Sequence, residues 1–155
     1  MTAITAQKGT VSLYFPKSSV NRRACTVDAP ATIVGGLAIH RKTGPDGSTH
    51  KAWKITHIAT GAAIMSALPY DGANKIRKGL APLHAYVAWC KALQQLPVWD
   101  AWQAIMAGAK FGTGNPSAMG GRAVDLSRQL AQEARNITAP FGPGATGSHA
   151  RAMGL

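Results

Sequence analysis

Four residues, Gly44-Pro45-Asp46-Gly47, constrain what this chain can fold into more than any other feature. Proline presets φ at its position, and Asp-Gly accepts the positive φ that a tight reversal requires, so the segment turns the chain back on itself. Runs with strand character lie on both sides of it. Ala31-Thr32-Ile33-Val34-Gly35-Gly36-Leu37-Ala38-Ile39 places Ile33, Leu37 and Ile39 on one face of a strand. After the turn Trp53, Ile55 and His57 share a face, presumed to be the core side, while Lys54, Thr56 and Ile58 share the other. The expected hairpin pairs residues 31–42 with 50–58. Upstream, the β-branched and aromatic residues 10–15 read as a strand stopped by Pro16. Downstream, Thr60-Gly61 makes a second turn, and Ala62-Ala63-Ile64-Met65 reads as a short strand ahead of the alternative, the start of the helical half.

From Asp71 onward the apolar period becomes helical. Asp71 suits the N-cap of a helix running to Gly79, and Pro82 suits the first turn of the next, whose apolar stripe is Leu83, Val87, Cys90 and Leu93. Pro97 opens a helix bearing Trp99, Trp102, Ile105 and Met106, and a last helix is expected over about residues 121–136. The sequence therefore predicts an α+β fold. A small antiparallel sheet from the N-terminal half, with its hairpin at about 31–58, packs with three to four helices at about 71–136. The 155 residues, 46% of them apolar, suit one domain over 1–139, followed by a Gly/Pro-rich tail over 140–155.

Charge narrows the function. Seventeen Lys and Arg oppose six Asp and Glu, a net +11, and Glu133 is the lone glutamate. Paired-carboxylate catalysis and carboxylate metal sites have almost no material to draw on. The excess is uneven: residues 1–60 carry eight cations against two aspartates. Within that half, His40-Arg41-Lys42-Thr43 and Ser48-Thr49-His50-Lys51 gather three cations and two histidines around the turn, offset by Asp46 alone. A two-stranded basic ribbon fits a major groove or tracks a phosphate backbone; a solvated hairpin end is the plainer account of the same residues. Lys75-Ile76-Arg77-Lys78 forms a second cluster, which a helix C-terminus alone would also favour. Arg128 and Arg135 fall on one face of the last helix, which reads as an ordinary wet surface.

The remaining chemistry-bearing residues point away from catalysis. Trp89, Trp99 and Trp102 are expected in the core, and Trp53, beside Lys54 and near Lys51, is the tryptophan with the flanking cations a base-stacking platform needs. His40, His57 and Lys54 together would be the set of a metal-independent ribonuclease, but the alternation that turns His57 inward argues against the pair. Cys25 and Cys90 lack C-x-x-C or zinc spacing, and Cys90 reads as a small buried hydrophobe. No G-x-S-x-G elbow, Walker loop or Rossmann turn is present, and the glycine-rich residues 110–122 read as a hinge or linker. No catalytic residue, metal or cofactor is expected. The opening residues lack the pattern of a signal peptide and no window approaches a membrane span, so a cytoplasmic protein with free thiols is expected.

The leading expectation is a non-enzymatic binding module that docks on nucleic acid or a nucleoprotein complex, with Arg41, Lys42, Lys51, Lys54, Lys75, Arg77 and Lys78 on phosphates. The alternative is a small phage or mobile-element accessory protein that inhibits or adapts a protein partner through an acidic or hydrophobic surface of that partner. A small metal-independent nuclease comes third.

Overall fold

The turn forms as its residues dictate. Gly47 N–H donates to the Gly44 carbonyl at 3.0 Å and Gly44 N–H to the Ser48 carbonyl at 2.8 Å, with Gly47 at φ +83°. Asp46 Oδ1 accepts both the N–H and the hydroxyl of Ser48, at 3.0 and 2.7 Å, closing the loop from its side chain. The computed structural model that contains it describes residues 4–19, 22–64, 82–109, 111–112, 119–134 and 137.

Five strands form one antiparallel sheet in sequence order: β1 (Ala6–Phe15), β2 (Cys25–Val34), β3 (Leu37–Thr43), β4 (Thr49–His57) and β5 (Ala62–Ala63). Three helices follow among the described residues: α1 (Leu83–Leu93), α2 (Pro97–Met106) and α3 (Gly121–Ala134). The fold is α+β, as the change of period implies. The helix expected over 71–79 and the tail over 140–155 lie outside the described residues. Among the described residues no helix is long and apolar enough to cross a membrane.

The run read as one strand over 31–39 is two. Gly35, at φ +61°, and Gly36 reverse the chain, so Val34 pairs with Leu37 and Ile33 with Ala38. This moves Ile33 to the face opposite Leu37 and Ile39, because each strand alternates sides. The strand before the turn also begins earlier than expected, at Cys25, and includes Asp28 and Pro30. Only residues 32–34 of β2 pair with β3, so Pro30 sits where the strand has a single neighbour and a missing donor is tolerated. Asp28 is steadied by the Ser12 hydroxyl across the ladder, at 2.8 Å.

The two faces of the sheet are buried differently. Val34, Leu37, Ile39 and Ile55 meet the helices in one core with Tyr86, Trp89, Leu93, Trp99, Trp102 and Met106. On the reverse face Val11, Leu13, Ala29 and Ala38 cluster with Ile58. Neighbouring strands run about 4.8 Å apart, so Val11 on β1 and Ile58 beyond β4 pack together only because the sheet curls. Tyr14 closes the curl, its ring edge-on to Phe111 at 5.9 Å, while Gly112 N–H donates to the Thr60 carbonyl. The glycine-rich segment is thus anchored to the β4–β5 turn at its start. In α1 the buried stripe is Tyr86, Trp89, Cys90 and Leu93; Leu83 and Val87, expected in the core, are half-buried at its margin.

Candidate nucleic-acid interface

Register decides how the basic hairpin is arranged. Arg41 faces Trp53 and His40 faces Lys54 across β3 and β4, so strand alternation sorts the expected cations onto opposite faces. Arg41 lies on the helix side with Trp53, and the pairing shifts register between Arg41 and Thr43, alongside Lys51. Lys42 and Lys54 lie on the reverse side with His40. Lys75, Arg77 and Lys78 are outside the described residues.

On the helix side Arg41 is held in place. Its guanidinium carbon lies 3.6 Å from the Trp53 ring centroid, and Nη1 donates to the Lys51 carbonyl at 2.5 Å. Trp53 in turn leans on Tyr86 of α1, 6.5 Å between centroids and tilted by 52°. One flank of the indole is therefore seated on the core while the guanidinium above it stays exposed, which neither a wholly buried Trp53 nor a free base platform describes.

A groove of about 300 Å³ opens beside this pair, walled by Lys8, Pro30, Thr32 and Ile39. A second, of about 690 Å³, continues from it between β1 and α1, sharing Lys8 and Thr32 and reaching Leu83, His84, Val87 and Lys91. Together they make one trough with an apolar floor. Arg41, Lys8 and Lys91 line it and Lys51 stands beside Arg41; none of the four forms an ion pair among the described residues. Lys8 and Lys91 carry no local signal in the sequence, because residues 83 places apart meet Arg41's surroundings only once β1 and α1 flank the same strands.

The reverse side is drier. His40 is buried; its Nδ1–H donates to the Arg41 carbonyl and its Nε2 accepts the Thr56 hydroxyl, both at 2.7 Å. Burial, with Lys54 nearby, holds its pKa below the ordinary histidine value against the opposing pull of the Arg41 carbonyl. Lys54 is half-buried, and desolvation followed by the charge of Lys42 lowers its pKa. The hairpin tip is no free prong: the Cys25 thiol sits 3.8 Å from the Pro45 carbonyl, which brings the β1–β2 loop with exposed Arg22 and Arg23 to this end.

His57 belongs to the other face and to a separate network. Its Nε2–H donates to Gln103 Oε1 at 2.5 Å and its Nδ1 accepts the Thr60 hydroxyl at 2.9 Å, while Trp99 and Trp102 enclose the ring. Burial lowers its pKa more than the Gln103 bond raises it. His40 and His57 thus sit on opposite faces of the sheet, each with both nitrogens engaged, and do not form a pair. Trp89, Trp99 and Trp102 are core residues, and Cys90 is buried with its thiol pKa pushed up by desolvation. No cluster of three or more His, Cys, Asp and Glu that could hold a metal occurs among the described residues.

Comparison with protein-family models, with the curated proteins and with the solved structures gives no match to this chain.

Proposed function

We propose that this chain is a non-enzymatic binding module that docks on nucleic acid, alone or within a nucleoprotein complex, through the helix-side surface of its basic hairpin. The observation that carries the reading is the trough in which Arg41, fixed over Trp53, is followed by Lys8 and Lys91 with no carboxylate partner among the described residues. A row of cations along a groove attracts a polyanion and gains from the counterions it releases. A preset guanidinium loses less rotamer freedom on binding than a loose side chain. The engagement of His40 and His57 in separate internal networks supports binding over the nuclease alternative.

A second reading has one observation in its favour. The apolar floor of the larger groove, at Ala6, Leu83, Val87 and Ala88, suits a protein partner held by hydrophobic anchors, as an inhibitor or adaptor would be.

Fluorescence-anisotropy titration of labelled oligonucleotides across salt concentrations tests the proposal. Replacing Lys8, Arg41 and Lys91 together by Ala should lower the magnitude of the log-log salt slope by about 2–3. An unchanged slope, or no binding to any oligonucleotide at low salt, overturns it and leaves the protein-partner reading ahead.

A further inference from the structure

The trough has two properties that a mere phosphate-binding surface does not need. One end carries a planar group held over a ring: the Arg41 guanidinium carbon lies 3.6 Å from the Trp53 centroid, Nη1 is tied to the Lys51 carbonyl, and the residue is exposed. Its floor is apolar, formed by Ile39 and Pro30 beside Arg41 and by Leu83 and Val87 farther on. A phosphate can use the N–H edge of the guanidinium but gains nothing from its flat face or from the floor. Bases do, since every base has a π-face that stacks on arginine planes and aromatic rings, and an apolar floor shelters that face from water.

We infer that the trough takes an unpaired strand, with one base stacked on the outer side of the Arg41 guanidinium and the backbone running past Lys8 toward Lys91. The inference rests on the nucleic-acid reading and specifies its ligand. A base in a duplex is covered on both faces by its neighbours and cannot be laid on Arg41 without leaving the stack. Length favours a strand over a single nucleotide: the 300 Å³ groove beside Arg41 opens into the 690 Å³ groove, and the two share Lys8 and Thr32. Cations at both ends imply an anion that continues past the first unit.

Arg41→Lys isolates the stacking role, because lysine keeps the charge and loses the plane. The probes are dT12, U12, a twelve-unit abasic deoxyribose-phosphate strand, a twelve-base-pair duplex and the mononucleotide dTMP, titrated against the full chain. The wild type should bind dT12 or U12 at least about fivefold tighter than the abasic strand, the low end for one stacked base. Arg41→Lys should remove that margin while leaving the salt slope in place. The ratio of dT12 to U12 distinguishes the two sugars, and a margin with either supports the inference. Equal binding of dT12, U12 and the abasic strand, or tighter binding of the duplex, overturns it and leaves phosphate docking standing. Binding of dTMP as tight as dT12 replaces the strand with a mononucleotide pocket. No binding of any probe at low salt removes the nucleic-acid reading itself. Trp53→Phe, checked for folding by circular dichroism, gives a second route: loosening Arg41 from its support should reduce the same margin without altering charge.

Discussion

The carboxamide of Gln94 occupies the space that a side chain at Gly35 would need. A Cβ built on Gly35 overlaps Gln94 Oε1, and that oxygen accepts the Gly36 N–H at 2.8 Å while Nε2 donates to the Val34 carbonyl at 2.7 Å. One glutamine just past α1 thus satisfies the backbone of the β2–β3 turn and joins the helix layer to the sheet that carries Arg41.

Gly35→Ala is therefore expected to destabilise the fold by about 2–3 kcal/mol. Roughly 1–2 kcal/mol comes from a Cβ at φ +61°, and the remainder from displacing Gln94 from its bonds. In a Gln94→Ala background the same substitution should cost only the conformational part. Urea unfolding of the two single variants and the double variant measures the coupling, and a coupling of zero would refute the shared-space account.

The two buried histidines make stability fall on acidification. Both have folded pKa values lowered, His57 by burial against the Gln103 bond and His40 by burial, with Lys54 adding to it against the Arg41 carbonyl. Well above pH 6.5 both are neutral folded or unfolded. Below it the unfolded chain binds the proton first, so stability declines from about pH 6.5 toward the lower folded values, by at most roughly 1.4 kcal/mol per pH unit for each histidine. Unfolding curves between pH 7.5 and 5 should show this slope. Stability that is flat or rises over that interval contradicts the two networks.

How much of this was legible in the sequence depends on whether a feature is local. Pro45-Asp46-Gly47 announced its own turn, and the face of Trp53, Ile55 and His57 followed from alternation. Gly35-Gly36 did not, because it interrupts a β-branched run without Asn, Asp or Pro, and the error carried Ile33 to the wrong face. Asp28 and Pro30 hid the start of β2, being poor strand residues made tolerable by Ser12 and by a missing neighbour. In α1 the period was plain but its phase was not: Leu83 and Val87 satisfy the same spacing as Tyr86 and Trp89, and only the position of β1 decides which of them borders a groove. The cations of the hairpin were visible as a cluster. Their partition onto two faces, and the meeting of Arg41 with Lys8 and Lys91, are products of strand pairing and curl, which no short window contains.

Asp46 is the one acid at the hairpin tip, and its carboxylate is held below the usual range by the hydroxyl and N–H of Ser48. Asp46→Asn keeps an acceptor for both bonds and removes the offsetting charge. The melting temperature should change little, while affinity for an anionic strand should rise at low ionic strength and converge with the wild type near 1 M salt, where the Debye length is about 3 Å. A gain that persists at high salt would mean that Asp46 does more than offset neighbouring charge.

The division of the hairpin cations between two faces sets the last prediction. Arg41 and, from β1, Lys8 line the trough on the helix side with Trp53, whereas Lys42 and Lys54 share the reverse side, where Lys54 is half-buried opposite His40. A single strand lying in the trough neutralises the first pair and passes the second at a distance. Replacing Arg41 and Lys8 by Ala should then reduce the salt slope by about 1.4, the value for two phosphates on a single strand. Replacing Lys42 and Lys54 by Ala should leave the slope within about 0.5 of the wild type, although it removes the same formal charge. Net charge alone predicts equal losses for the two pairs, so the comparison separates a located site from a generally basic surface. Equal slopes in the two double variants, with folding verified by circular dichroism, would mean that the ligand wraps both faces of the hairpin and that the trough is not its track.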